Sequence, residues 1–129
     1  MRRGGGLGAY RTVEVTTADP GRLVLLLFDG AIRFLHAAGT ALDRGHTAEF
    51  ARALSRAHAI IGALSASLDH DVGGELAANL ARLYSFMLLH LTQGLLAKSR
   101  RHVDEALHLL QTLREGFEGA LGLQGHARA

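Results

Sequence analysis

The chain contains no cysteine and a single proline, Pro20. Without cysteine there is no disulfide framework, no thiolate nucleophile and no thiolate zinc site. With one proline and few β-branched residues, little interrupts helix. Alanine, leucine and arginine dominate, and all three favour it. Long apolar runs are also missing. The longest unbroken one is Leu23 to Phe28, far short of the roughly 20 residues that span a bilayer. Met1 to Gly6 is basic and then glycine-rich, with no apolar stretch behind it, so it does not read as a secretory signal. A cytoplasmic protein without membrane insertion is expected.

Nor is there an excess of one charge. The formal net charge is +2, and setting aside Arg2 and Arg3 of the glycine-rich tail leaves basic and acidic residues in balance. No basic stripe with interleaved aromatics is visible, so nucleic acid is not expected as a partner. H-E-x-x-H, P-loop and G-x-S-x-G motifs are absent, which points away from an enzyme and from a cofactor.

What is present suits a single small core. Hydrophobic residues make up 48% of 129 and charged residues 20%, enough for one folded domain and unlike a disordered chain. Residues 1–16 read as a tail and an irregular lead-in, 17–121 as a helical body and 122–129 as a frayed end. Asp19-Pro20 is a helix start, since aspartate caps and proline suits the first turn; Thr17 is the competing cap.

The first helix is predicted from about Pro20 to Arg44. Its apolar residues Val24, Phe28, Ala31, Leu35, Ala38 and Leu42 step by four and three. Gly45 stops it, and Thr47 is placed to cap the next. The second helix, about Ala48 to Leu68, repeats the spacing in Phe50, Leu54, Ala57, Ile61, Leu64 and Leu68. Asp69 to Gly74 is a connector of turn formers. The third helix, about Glu75 to Lys98, carries Leu76, Leu80, Leu83, Met87 and Leu91; the fourth, about Arg101 to Gly119, carries Val103, Leu107, Leu110, Leu113 and Phe117. Short connections between such rods imply an all-α, antiparallel four-helix bundle.

The apolar surface exceeds what one stripe per helix requires. The third helix has a second series, Tyr84, Leu88, Leu91 and Leu95, and the first has extra bulk at Leu25, Leu26 and Ile32. Such a series either widens the core or lines a groove for an amphipathic partner helix. Two polar features invite other readings. Glu105 and His108 form one E-x-x-H pair, whereas di-metal bundles need two such pairs and two more inward glutamates. His90 sits in mid-helix, loosely like a histidine-phosphotransfer bundle, but Gln93 stands where that chemistry places a cation. The remaining histidines lack ligand spacing.

Two stretches carry a family resemblance. Thr17-Ala18-Asp19-Pro20 is followed by Arg22-Leu23-Val24 and by Leu27-Phe28-Asp29-Gly30-Ala31-Ile32; Leu68-Asp69 is followed by Gly73-Gly74-Glu75-Leu76-Ala77, Asn79-Leu80 and Leu83-Tyr84-Ser85-Phe86-Met87. With Tyr10 near the start and Leu113-Arg114-Glu115-Gly116-Phe117 near the end, the chain from about Ala9 to Phe117 resembles the FliS-type flagellar secretion chaperones. Phe28 and Phe117 replace that family's tyrosine and tryptophan, and Gln93-Gly94-Leu95 replaces its usual alanine-asparagine pair.

The resemblance implies a non-enzymatic helical bundle that binds the disordered C-terminal segment of flagellin. It also implies that the bundle prevents premature polymerisation and delivers the subunit to a component of the flagellar export gate. It further implies that the N-terminal segment covers part of the binding surface, with Tyr10 and Val13 as cap residues. The groove residues expected from the apolar surplus are Ile61, Leu64, Leu68, Tyr84, Leu88, Leu91 and Leu95. The readings left beside this one are a homodimer and, as the alternative function, phosphotransfer at His90.

Overall fold

The computed structural model describes residues 19–122. Four helices follow one another: α1 (Pro20–Asp43), α2 (Thr47–Ala66), α3 (His70–Ala97) and α4 (Arg100–Leu121). The expectations for the tail, the lead-in and nearly all of the frayed end fall outside the described residues.

Local chemistry accounts for the helix ends. The Asp19 carboxylate accepts from the Arg22 amide at 3.0 Å, and Pro20 opens α1. Asp19 is therefore a cap, as Asp-Pro suggested. Thr47 does not cap α2; it is the first helical residue, and His46 precedes it without a side-chain cap. The connector before α3 is more ordered than its composition suggested. The Asp69 carboxylate accepts from the Asp71 and Val72 amides at 3.1 and 3.2 Å and starts a first turn at His70. Gly74, at φ 54° and ψ −124°, then breaks the rod. That conformation is open to glycine and strained for a side chain with Cβ. The unbroken part of α3 begins at Glu75, the start read from periodicity. Ser99 caps α4 through the His102 amide at 3.3 Å.

Helix contacts follow a ring, α1 on α2, α2 on α3, α3 on α4 and α4 back on α1, whereas the backbones of the two diagonal pairs stay apart. Neighbours are antiparallel. Gly30 of α1 lies by Ile60 of α2, whereas Phe34 lies by Arg56. Arg100 at the start of α4 donates to the Gly39 carbonyl at 2.9 Å, near the end of α1, and the Leu121 side chain packs on Gly21 at the opposite end. Gly94 marks a close approach of α3 to α4, since a Cβ there would lie 2.7 Å from Cβ of His102. The residue that departs from the family pattern at the end of α3 is thus required by this helix contact.

The stripes of α1 and α2 enter the core as their spacing predicted. Phe28, Ala31, Leu35 and Ala38 pack against Phe50, Leu54, Ala57, Ile61 and Leu64, all buried. The alanines let the rods approach closely, and the larger side chains fill between them. On α3 the stripe is turned. Its buried residues are Ala77, Tyr84, Met87, Leu91 and Gly94, whereas Leu76 is 65% exposed. On α4 the buried set is Val103, Ala106 and Leu110; the small Ala106 escaped a reading built on large residues. α1 is, by length and composition, apolar enough to cross a membrane. Its burial on α2 and α4 gives that apolar character a role inside the bundle.

Two arginines tie α4 to α1. Arg114 donates to Asp29 through Nε at 2.6 Å and Nη2 at 3.4 Å, and to Glu118 at 3.2 Å. The Asp29 hydrogen bond foremost raises the Arg114 pKa. Arg100 joins Asp104 at 2.9 Å and also pairs with Asp43.

Candidate functional site

At one end of the bundle the four rods leave an apolar cleft of about 440 Å³. It lies at the start of α1 and α3 and the end of α2 and α4, and every helix contributes. Phe28, Leu64 and Tyr84 form its floor and are themselves buried. Val24, Leu68, Leu80, Leu113 and Phe117 form half-buried walls, and Leu76 stands exposed at the rim. Gly116 and Ala120 are small residues on the α4 side and leave space where a larger residue would fill it. The Phe28 and Phe117 rings meet across the cleft with centroids 6.1 Å apart. Behind this wall the Asp29–Arg114 pair holds α1 to α4.

Polar groups are few here. Asp69 and Thr112 lie among the lining residues, and the Ser67 hydroxyl is engaged with the Leu64 carbonyl at 2.7 Å. Burial pushes the Tyr84 phenol up, so it stays neutral. Its hydroxyl has no hydrogen-bond partner among the described residues, although buried polar groups are ordinarily paired. The cleft therefore offers apolar walls and one directional phenol. That chemistry suits the apolar side chains of a peptide segment.

The expected groove residues divide. Leu64, Leu68 and Tyr84 line the cleft together. Leu88 and Leu95 are half-buried against the core away from it, and Ile61 and Leu91 are fully buried. Tyr10 and Val13 lie outside the described residues. The residues that the sequence reading missed as lining are on α1 and α4, chiefly Val24, Phe28, Leu113 and Phe117, with Leu76 and Leu80 on α3. A signal existed for them, because the apolar stripes run on to the helix ends, where fewer neighbours cover them.

A second apolar surface lies on the outside of α3, where Phe86, Leu89 and Leu96 are 52%, 60% and 80% exposed. This is not the second series predicted for this helix. Tyr84 and Leu91 of that series are buried, and the true outer face begins two residues later.

His90 and Glu105 meet, but not as either alternative reading needs. His90 Nε2 lies 2.7 Å from Glu105 Oε1, and its ring stacks on Phe86 and on His102, with centroids 5.0 and 4.2 Å away. Glu105 also receives Arg101 at 3.3 Å. His90 Nε2, the nitrogen that would carry a phosphoryl group, is engaged by the Glu105 carboxylate instead, and the phosphotransfer alternative finds no support. Among the described residues no group of three potential metal ligands converges.

The His90 hydrogen bond foremost, with help from Arg101, lowers the Glu105 pKa. A lowered folded-state value means that this carboxylate adds stability above its unfolded value, about 4.3 for glutamate. The contribution fades as pH falls through the folded-state value. In thermal melts Glu105→Gln should therefore be less stable than the parent at neutral pH, and the gap should close in acid. A gap that stays constant from neutral pH to strong acid would contradict the assignment.

Comparison with known proteins accords with this architecture. A family model described as flagellar protein FliS matches residues 5–124. The flagellar secretion chaperone FliSB of Pseudomonas aeruginosa is 36% identical over 106 residues, covering 82% of this chain and 84% of that protein. The flagellar secretion chaperone FliS of Salmonella typhimurium is 36% identical over 123 residues, covering 92% and 91%. The Bacillus subtilis flagellar secretion chaperone FliS is 26% identical over 113 residues, covering 88% and 84%. The four-helix ring, the Asp-Gly motif of α1 beside Arg114 and the match over nearly the whole chain together make this protein a member of the FliS family of flagellar secretion chaperones.

Proposed function

We propose that the chain acts in the cytoplasm as the export chaperone of flagellin. It holds the C-terminal segment of that client before assembly and presents it to a component of the export gate. The observation that supports this most directly is the open cleft, to which all four helices contribute apolar side chains, with the Tyr84 phenol in its floor. A client segment that is disordered until it assembles can fold one amphipathic face into such a cleft. The ordering cost of a few kcal/mol keeps the complex releasable. The outer α3 face at Phe86, Leu89 and Leu96 extends the apolar surface available to a segment longer than the cleft. In the same reading the N-terminal segment, through Tyr10 and Val13, competes with the client for the cleft.

Isothermal titration of the full chain with flagellin tests this. The expected result is a one-to-one complex with intact flagellin and no detectable heat with flagellin lacking its C-terminal segment. Equal affinity for both forms would reject the reading. Removing residues 1–16 should change the affinity, and an unchanged value would reject the competing segment alone.

A further inference from the structure

The opposite end of the bundle carries a different surface. A groove of about 450 Å³ runs between the last turns of α1 and the first turns of α2. Arg44, Arg52 and Arg56 line it, over a floor that includes Phe34, Ala37 and Ala53. None of the three arginines has a carboxylate within ion-pair distance among the described residues. Of the acidic residues of this helix pair, Asp29 is engaged by Arg114 and Asp43 by Arg100, and the one carboxylate that lines the groove, Glu49, is held by His46 at 2.9 Å. The start of α2 also lacks a side-chain cap, so the positive end of its dipole adds to the same field.

We infer that this groove is a second docking surface, and that its occupant is an acidic amphipathic helix of a partner protein. The carboxylates of that helix would meet Arg44, Arg52 and Arg56, and its apolar residues would rest on the part of the floor formed by Ala37 and Ala53. The terminal segments of this chain have the wrong sign for this groove: residues 1–18 carry Arg2, Arg3 and Arg11 against Glu14 alone, and residues 123–129 carry Arg128 and no acidic side chain. Nucleic acid fits less well than a peptide. Single strands are held by open aromatic faces, and the Phe34 ring is covered by Arg56, whose guanidinium carbon lies 5.7 Å from the centroid.

Fluorescence anisotropy with the full chain tests the inference. The probe is a labelled helix-forming peptide with a leucine stripe flanked by glutamates. Its controls are the same peptide with glutamines and a labelled oligothymidylate. The acidic peptide should bind in a salt-dependent way and more tightly than either control. Three exposed ion pairs together account for about a tenfold difference in affinity, so the triple variant Arg44→Glu, Arg52→Glu, Arg56→Glu should lose about that factor. Circular dichroism shows whether this variant is folded, and the glutamine peptide tests the parent independently of it. Equal binding of the acidic and glutamine peptides overturns the inference. So does unchanged affinity in the folded variant, or tighter binding of the oligonucleotide. Flagellin binding at the apolar cleft is measured separately, so the two surfaces can fail independently.

Discussion

Replacing Leu80 and Leu113 together by glutamate is expected to lower flagellin affinity at least about a hundredfold while leaving the bundle folded. Both side chains are half-buried cleft walls on facing helices. In the free protein the new carboxylates reach solvent through the open cleft, so the cost to folding is modest. In the proposed complex the client segment would cover the same positions. Each change then removes about 0.8–1.5 kcal/mol of apolar burial, half the value for a fully buried leucine, and adds the larger cost, several kcal/mol, of a charge without a partner. Two such sites exceed the roughly 2.7 kcal/mol that corresponds to a hundredfold change. Calorimetric titration with flagellin checks the affinity, and circular dichroism melting checks the fold. A folded double variant that binds as the parent does would place the client elsewhere.

Phe50→Ala should be the most damaging single truncation for stability. Phe50 is fully inside the core, on the α2 face that packs against α1. Removing a buried phenylalanine side chain costs about 3–5 kcal/mol, through lost burial and the cavity left behind. Small domains have only about 5–15 kcal/mol in total, so the variant would sit close to unfolding. By contrast, breaking the Asp29–Arg114 pair at the partly exposed α1–α4 seam should cost about 1 kcal/mol or less. Urea denaturation of Phe50→Ala and Asp29→Ala ranks the two. Equal losses would mean that packing and ion pairing contribute alike, against this account of the bundle.

The legible parts of the fold are those in which spacing and burial follow from one helix and its nearest neighbour. Phe28, Leu35 and Leu54 fell on predicted stripes and are buried. Asp19 announced its own cap, because that bond closes within three residues. The third helix misled because leucine covers it on several sides. Leu76, Tyr84 and Leu89 all satisfy some helical spacing, and only the position of α2 and α4 around α3 decides which is covered. Ala77, Gly94 and Ala106 were overlooked because small residues give little hydropathy signal where rods press closest.

The candidate site divides in the same way. Leu64, Leu68 and Tyr84 were expected in a groove and line the cleft, yet Ile61 and Leu91 belong to the same stripes and lie sealed in the core. Side chains of one type on one helical face differ only in depth along the bundle, and depth is not written in periodicity. The arginine groove shows this from the polar side. Arg44 and Arg52 are separated by the α1–α2 turn, and no run of basic residues marks them.

The sequence by itself determined four amphipathic helices, their order, the capped start of α1 and the motifs of the family, since these rest on contacts between residues a turn apart or on patterns read directly. Tertiary structure alone decided which apolar residues became core, cleft or outer face, and which charges were left without partners. Those outcomes depend on what the neighbouring helices cover, and coverage is a property of four rods packed together.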